Sequence, residues 1–451
     1  MLKKAGIAVV LCILSWILPA HAWADTDHAL QKYLAQPDSS YRWNLRQRTR
    51  LGQSDCIELT LISQTWKEIV WKHRLFLIIP DGVKGTTDGL LVIEGGRWRA
   101  GDDKPIEDSK PAYPKQAILL AGLAQQLRIP MVIVLNVPQQ PVFNGKTEDA
   151  IIAHTFDQFL KTGEKDWPLL LPMVKSAVRA MDAAQAFAKE DRQLNIDRFT
   201  VTGASKRGWT TWLTAAADPR VAALAPMVID MLNLTKQLPY QFESWGEHSP
   251  RIHDYTDIKL AERIDSPRGR ELTQMVDPYA YRDQIQQPKL LLLGTNDSFW
   301  TLDALNLYWD GLKGEKYITY VPNADHDLGK DFQRVFGGIA ALRQHVAAGQ
   351  TMPKLTWNHE AGTEGVKLKV QPGEQPQRVI YWSTNASSRD FRQARWIPRE
   401  LTAQSDGSFE VNIPSETGRF NAGYVEVVYP RPNQSLSLST TIRIVEPPAQ
   451  Q

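Results

Sequence analysis

From Leu90 onward the sequence alternates short apolar runs with longer segments of helical spacing, and that rhythm constrains the fold more than any other feature. Leu90–Glu94, Met131–Leu135, Phe199–Thr202, Val221–Ile229, Lys289–Leu293 and Tyr317–Val321 read as buried strands. Gln116–Leu127, Pro172–Ala188, Leu302–Leu312 and Phe332–Ala347 read as helices. Strands joined by helices run parallel, and such a sheet is covered on both faces. Ahead of them, Cys56–Ser63 and Ile69–Ile79 are β-branched and end in the turn Pro80-Asp-Gly-Val, which fits an antiparallel hairpin at a sheet edge. The predicted class is α/β with a mostly parallel sheet. An antiparallel edge followed by parallel crossovers suits an α/β-hydrolase sheet better than a dinucleotide fold, and no G-x-G-x-x-G follows the early strands.

Two interruptions divide the 451 residues. Between Asp230 and Pro288 the rhythm stops in a stretch rich in aromatic and charged residues. So long a segment inside a compact domain reads as a helical cap, about 231–288, rather than as a solvated loop. At Pro353 the composition changes to short, alternating, turn-separated runs, a small antiparallel β-sandwich over 353–446 followed by a disordered tail, 447–451. The hydrolase domain itself spans 25–352 and opens on a polar leader with a short helix at 25–50.

The amino end reads as a targeting segment. Lys3 and Lys4 precede the apolar run Ala5–Leu18 and the small residues of Pro19–Ala24, the layout of a signal peptide over 1–24. No later run is long enough for a transmembrane anchor, so the mature protein is expected to be exported, periplasmic or secreted. Taking Lys3 and Lys4 from the 52 basic residues leaves them level with the 50 acidic ones, which argues against nucleic acid as a partner. Cys12 leaves with the leader. Cys56 alone makes no internal disulfide and reads as a small buried hydrophobe.

The chemistry gathers around Thr200-Val-Thr-Gly-Ala-Ser205-Lys-Arg-Gly-Trp209. A strand running through a small residue and a serine into a helix is the wiring of a nucleophile elbow. The bland reading is a strand-to-helix turn with Ser205 as N-cap. The second glycine, Gly208, comes one place late, with Arg207 where G-x-S-x-G would have it. A serine nucleophile needs a base and an acid to orient it, in the order Ser, Asp/Glu, His from later strand ends. Asp297 follows the strand Lys289–Leu293, and His326 stands in the loop after Tyr317–Val321. Asp230, Asp325 and Asp327 are rival acids; the last two sit too close to His326 in sequence to orient the far ring nitrogen. Taken singly, His326 reads as a surface residue and Asp297 as a helix cap; together with the elbow they form a triad.

The oxyanion hole is expected from the N–H of Lys206 and from Gly96 or Arg97, in a Gly95-Gly96-Arg97 turn placed like an HGGG motif. Glu94 should point away from that site or pair with Arg97, Arg99 or Arg207. Lys206, Arg207, Arg97 and Arg99 together would favour an anionic acyl donor, unless Arg207 serves as a structural bridge. Trp98, Phe299 and Trp300 are candidate cleft walls, whereas Trp209 and Trp212 ride on the buried elbow helix as core. No ligand set with metal spacing and no phosphate-cradling loop appears, so neither metal nor cofactor is expected.

The stretches Gly-Ala-Ser-Lys-Arg-Gly-Trp, Leu-Leu-Gly-Thr-Asn-Asp and Asn-Ala-Asp-His, with Glu94-Gly-Gly, resemble the PhoPQ-activated pathogenicity-related proteins over nearly the whole mature chain. The resemblance implies an exported α/β-hydrolase-fold protein of a bacterial envelope linked to stress and virulence, without a defined substrate. The expected function is a serine hydrolase acting on an ester or amide of a small molecule or peptide. The alternative is a non-catalytic binding protein on the same scaffold. The sandwich is a candidate contact for glycan or cell envelope.

Overall fold

The computed structural model describes residues 29–103, 113–329, 331–432 and 434–449. The leader 1–24 lies outside them, as do the last two residues of the tail. After a short helix α1 (Ala29–Ala35), three long strands follow, β1 (Arg42–Leu51), β2 (Ser54–Trp66) and β3 (Ile69–Pro80). The alternating region then runs β4 (Thr86–Ile93), α2 (Lys115–Leu127), β5 (Met131–Val134), α3 (Asp149–Thr162), α4 (Leu170–Arg192) and β6 (Asn195–Ala204). It continues through α5 (Lys206–Ala217) and β7 (Val221–Met227). Next come helices α6 (Leu234–Trp245), α7 (His253–Asp257), α8 (Leu260–Arg263) and α9 (Pro267–Val276). β8 (Lys289–Gly294), β9 (Lys316–Val321) and α10 (Phe332–Ala348) complete it.

The nine strands form one sheet in the order β1-β2-β3-β5-β4-β6-β7-β8-β9. β1, β2, β3 and β5 pair antiparallel in turn, and β5 through β9 pair parallel. This is the α/β-hydrolase arrangement. Register puts the ends of the central strands level: Ile93 of β4 lies opposite Gly203 of β6, and Gly294 of β8 opposite Val321 of β9. The loops carrying Glu94, Ser205, Asp297 and His326 therefore leave the same edge. One sheet face is buried under α4 and α5, with Trp212, Phe159 and Phe187 in its core. The other is buried under α2 and α10.

After α10 the chain enters two antiparallel sheets. One orders β10 (Thr356–Gly362), β11 (Gly365–Gln371) and β14 (Phe409–Pro414). The other orders β13 (Ile397–Glu400), β12 (Arg378–Ala386), β15 (Phe420–Arg431) and β16 (Gln434–Ser439), with β17 (Arg443–Val445) also on β15. Their apolar faces share one continuous core with α2 and α10. β16 also lies against β9, where the Thr319 hydroxyl donates to the Ser437 carbonyl at 2.6 Å and the Tyr320 N–H to Ser439 Oγ at 3.2 Å.

Several segments differ from the sequence reading. β1 stands where a polar leader was expected, because four arginines along an edge strand hide its period and keep the edge from pairing further. α3 was not foreseen. Leu302–Leu312 is not a helix but two 3₁₀ turns, Ala304–Leu307 and Trp309–Gly311. Its polar side chains bond across the fold instead, Asn306 to the Ile442 carbonyl at 3.0 Å and Asp303 to Arg389 at 2.8 Å. Within the sandwich, β16 and β17 are separated by residues 440–442, and β13 is an exposed four-residue strand with little apolar signal. Cys56 is a free, buried thiol that burial pushes up to about 11. Among the described residues no helix is long and apolar enough to cross a membrane.

Glu426 of β15 is fully buried and joins the two domains, accepting from Arg334 Nε of α10 at 3.0 Å and from Trp382 Nε1 of β12 at 2.8 Å. Glu426→Ala should lower unfolding free energy by about 3 kcal/mol, since it leaves Trp382 Nε1 and Arg334 Nε without their acceptor, although Arg334 keeps Asp331. Chemical denaturation should keep one transition because the core is shared. A second transition for the sandwich would contradict that.

Candidate active site

Ser205 stands between β6 and α5 at φ 58° and ψ −128°. A positive φ in a residue with a Cβ costs about 1–3 kcal/mol and persists only where neighbours impose it. Here the Ser205 N–H donates to the Met227 carbonyl at 2.9 Å, and the Ser205 carbonyl accepts from the Trp209 N–H at 3.0 Å. The late glycine has a packing cause. A Cβ at Gly208 would lie 2.8 Å from Ile229 Cγ2 and 2.9 Å from the Met227 carbonyl, and one at Gly203 would lie 2.8 Å from the Arg207 carbonyl. α5 thus presses against the end of β7 at Gly208, while position 207 points aside and admits a long side chain.

Asp297 and His326 meet across adjacent loops. His326 Nδ1 lies 2.8 Å from Asp297 Oδ2, so the ring carries its proton there and leaves the Nε2 lone pair free. Asp297 Oδ1 accepts from the Phe299 N–H at 2.8 Å, and the Phe299 ring stacks on the imidazole at 4.0 Å between centroids. His326 Nε2 is covered and has no hydrogen-bond partner. Ser205 and His326 line the same cleft, and no hydrogen bond joins them.

The rival acids are otherwise engaged. Asp325 Oδ1 accepts from the backbone N–H groups of His326 and Ser298 at 2.7 and 2.9 Å and clamps the two loops together. Asp327 accepts from the Gly329 N–H. Asp230 is buried at the end of β7; burial pushes its carboxyl up to about 8, against the Tyr308 hydroxyl that donates to it at 2.6 Å, and nearby Asp297 adds to the rise. A second serine–histidine contact, Ser63 Oγ to His73 Nε2 at 2.9 Å, is wholly buried, with Nδ1 on the Leu135 carbonyl, and has no acid or cleft.

The cleft, with the open solvent at its mouth, spans about 550 Å³. Phe156, Trp209, Met231, Phe299 and Trp300 wall it, and cap residues such as Leu238 roof it. Trp209, read as core, is both core and wall. The polar floor is closed on itself. Lys206 Nζ lies 3.0 Å from Glu148 and 2.9 Å from Asp149, and Arg207 reaches both Glu148 oxygens at 2.8 and 2.9 Å. Burial pushes the Glu148 carboxyl up, but Arg207, with Lys206 and Gln140, outweighs it and holds the group at about 2. Tyr255 donates to Asp149 at 2.9 Å.

Two of the expected substrate-binding residues do not line this cleft. Arg207 turns to Glu148 and the Val137 carbonyl (2.6 Å), a structural bridge rather than a cleft residue. Trp98 lies toward Lys72, 5.7 Å from its ring centroid, and is not among the cleft walls. Phe299 and Trp300 do line it. Glu94 is buried enough that its carboxyl is pushed up, and the opposing cation is Arg207. Gly96, at φ 124°, and exposed Arg97 follow β4 beside the elbow, and Lys206 opens α5, where its N–H has no intrahelical acceptor. The sequence reading missed Glu148 and Asp149; their adjacency at the start of an unassigned helix was the available signal.

A family model described as PhoPQ-activated pathogenicity-related protein matches residues 30–392. The chain belongs to that family. One similar protein, Autocrine proliferation repressor protein A of Dictyostelium discoideum, is 30% identical over 447 residues, covering 92% of this chain and 88% of that one. Among solved structures, acetyl xylan esterase 1 from Thermoanaerobacterium sp. JW/SL YS485 is 13% identical, covering 71% of this chain and 94% of that one, with a TM-score of 0.43. An S-formylglutathione hydrolase from Agrobacterium tumefaciens is 11% identical over 67% and 100%, TM-score 0.45. A glucuronoyl esterase from Solibacter usitatus is 12% identical over 72% and 93%, TM-score 0.41. At these values the likeness adds nothing to the strand order already described.

Asp230 gives this family member a pH signature. Its carboxyl is raised from 3.8 to about 8, so its favourable contribution to folding is complete below 3.8 and is lost as pH rises through 8. Asp230→Asn removes that loss. The melting temperature of the variant should exceed that of the wild type at pH 8 by more than at pH 5, in a thermal-shift series. An equal difference at both would contradict a protonated Asp230.

Proposed function

We propose that this protein is an exported serine hydrolase that cleaves an ester or amide bond, with Ser205 as nucleophile, His326 as general base and acid, and Asp297 orienting the imidazole. The observation that carries the reading is the Asp297–His326 hydrogen bond, which leaves Nε2 without a partner on a histidine that lines one cleft with a strained serine. Ser205 Oγ attacks the carbonyl carbon as its proton passes to Nε2. The oxyanion is held by the Lys206 N–H and an N–H of Gly96 or Arg97, each such donor being worth about a hundredfold in rate. Nε2 returns the proton to the leaving alcohol or amine, and the acyl group stays on Ser205. Water then gives its proton to Nε2 and attacks the acyl carbon; the bond from that carbon to Ser205 Oγ breaks, Nε2 returns the proton to Oγ, and the acid leaves. Apo hydrogen bonds of this kind are commonly long and close on the substrate.

The acyl group is apolar and uncharged. Lys206 and Arg207 are neutralised by Glu148 and Asp149, and the walls are aromatic and aliphatic, so the anionic acyl donor expected from the basic residues has no free cation to meet in this cleft. Export by the leader 1–24 and a role in envelope stress or virulence belong to the same proposal, the second supported by the family description. A second reading is a binding protein that keeps the scaffold without turnover. The Ser205–His326 pair is not bonded, and the Dictyostelium relative is named for repression rather than for an enzyme activity.

A fluorophosphonate probe separates the two. Mature wild type should be labelled and Ser205→Ala should not, and neutral p-nitrophenyl acyl esters should be turned over at least tenfold faster than a succinyl ester of similar length. Equal labelling of the two proteins would remove Ser205 as nucleophile.

A further inference from the structure

The loop 387–396, between β12 and β13, leaves the sandwich and lies along the two loops that carry Asp297 and His326. Asn296, next to Asp297, donates through Nδ2 to the carbonyls of Ala394 at 2.6 Å and Arg392 at 3.2 Å. Asn323, three residues before His326, donates through Nδ2 to the Trp396 carbonyl at 3.1 Å, and its Oδ1 accepts from the Trp396 N–H at 2.8 Å. The two asparagines are also linked to each other. The Asn323 N–H donates to Thr295 Oγ1 at 2.8 Å, that hydroxyl lies 2.9 Å from Asn296 Oδ1, and the Asn296 N–H donates to the Ala324 carbonyl at 2.9 Å.

The loop is itself fixed. Phe391 and Trp396 are 2% and 1% exposed and belong to the core of the hydrolase domain, and Trp396 packs on Tyr424 of β15. Arg389 bonds to Asp303 at 2.8 Å and to Tyr240 of the cap, while Arg392 lies 4.2 Å from the ring centroid of Trp245. The sandwich is already attached elsewhere, through α10, β9 and β16. The loop's asparagine bonds go instead to the residues flanking the acid and the base.

We infer that the loop 387–396 of the C-terminal domain is a positioning element for the Asp297–His326 pair, with Asn296 and Asn323 as the positioning residues. The inference rests on the triad reading above. A displacement of about 1 Å at a reacting group costs roughly a hundredfold in rate, so bonds that fix both loops to one rigid segment act on turnover and not only on stability. The sandwich then completes the active site rather than merely following it.

The test uses the full-length mature protein and four variants, Asn296→Ala, Asn323→Ala, Thr319→Val and Ser205→Ala. Thr319→Val removes the bond to Ser437, an interface bond away from the two loops. Read-outs are melting temperature, the rate of fluorophosphonate labelling across pH, and kcat and KM for p-nitrophenyl acetate. Asn296→Ala and Asn323→Ala should stay folded at the assay temperature, lose about ten- to a hundredfold in labelling rate and kcat with KM nearly unchanged, and displace the acid limb of the pH profile. Thr319→Val should lower the melting temperature and leave the profile in place. Asparagine variants that lower stability but keep wild-type kcat and pH profile, while Ser205→Ala is inactive, overturn the positioning role and leave the triad standing. A Ser205→Ala protein as active as wild type overturns the triad instead.

Discussion

Parallel pairing is the constraint on which the site depends. Because β4, β6, β7, β8 and β9 run the same way with their ends level, every loop after them leaves from one edge. Residues separated by more than a hundred positions in sequence, such as Ser205 and His326, are then within one cleft without any local device bringing them there. The elbow adds the local part. β7 stops at Met227, its carbonyl takes the Ser205 N–H, and the glycine at 208 lets α5 start so close that Ser205 is forced to positive φ.

The electrostatic arrangement follows from the same geometry. With the close approach assigned to Gly208, position 207 carries an arginine, and its charge is met by Glu148 at the entrance to α3. Lys206 adds a second cation and Asp149 a second carboxylate, so the floor of the cleft is an ion network closed within the protein. What faces a ligand is aromatic and aliphatic. The network holds α3, the loop after β5 and the elbow together. The cap and the C-terminal loop close the remaining sides, through Gln241 and Ser249 on the Phe299 and Ser298 carbonyls and through Asn296 and Asn323 on the loop 387–396.

Much of this was legible in the sequence, and the parts that were not have physical reasons. Buried parallel strands such as Leu290–Leu293 and Val132–Val134 announce themselves because both faces are apolar. The strand–serine–helix junction and the positions of Asp297 and His326 after strands followed from that. β1 was hidden because an edge strand with arginines has no clean period, and the 3₁₀ turns after Leu302 were hidden because tertiary bonds override helical spacing. Arg207 read as ligand or as bridge, with the bridge slightly favoured, and only the coordinates reveal Glu148, 59 residues away, as its partner. Asn296 and Asn323 stood in the family motifs, but their bonding was not legible, because their partners are backbone groups of another domain, which carry no residue identity.

The most direct measurement of the central claim is the structure of the protein after reaction with diethyl p-nitrophenyl phosphate. The account expects phosphorus bonded to Ser205 Oγ, a phosphoryl oxygen within hydrogen-bond reach of the Lys206 N–H and of an N–H of Gly96 or Arg97, and His326 Nε2 turned to the adduct while Nδ1 keeps Asp297. An adduct on any other residue, or one on Ser205 with its phosphoryl oxygen directed away from Lys206 and Gly96, would contradict it.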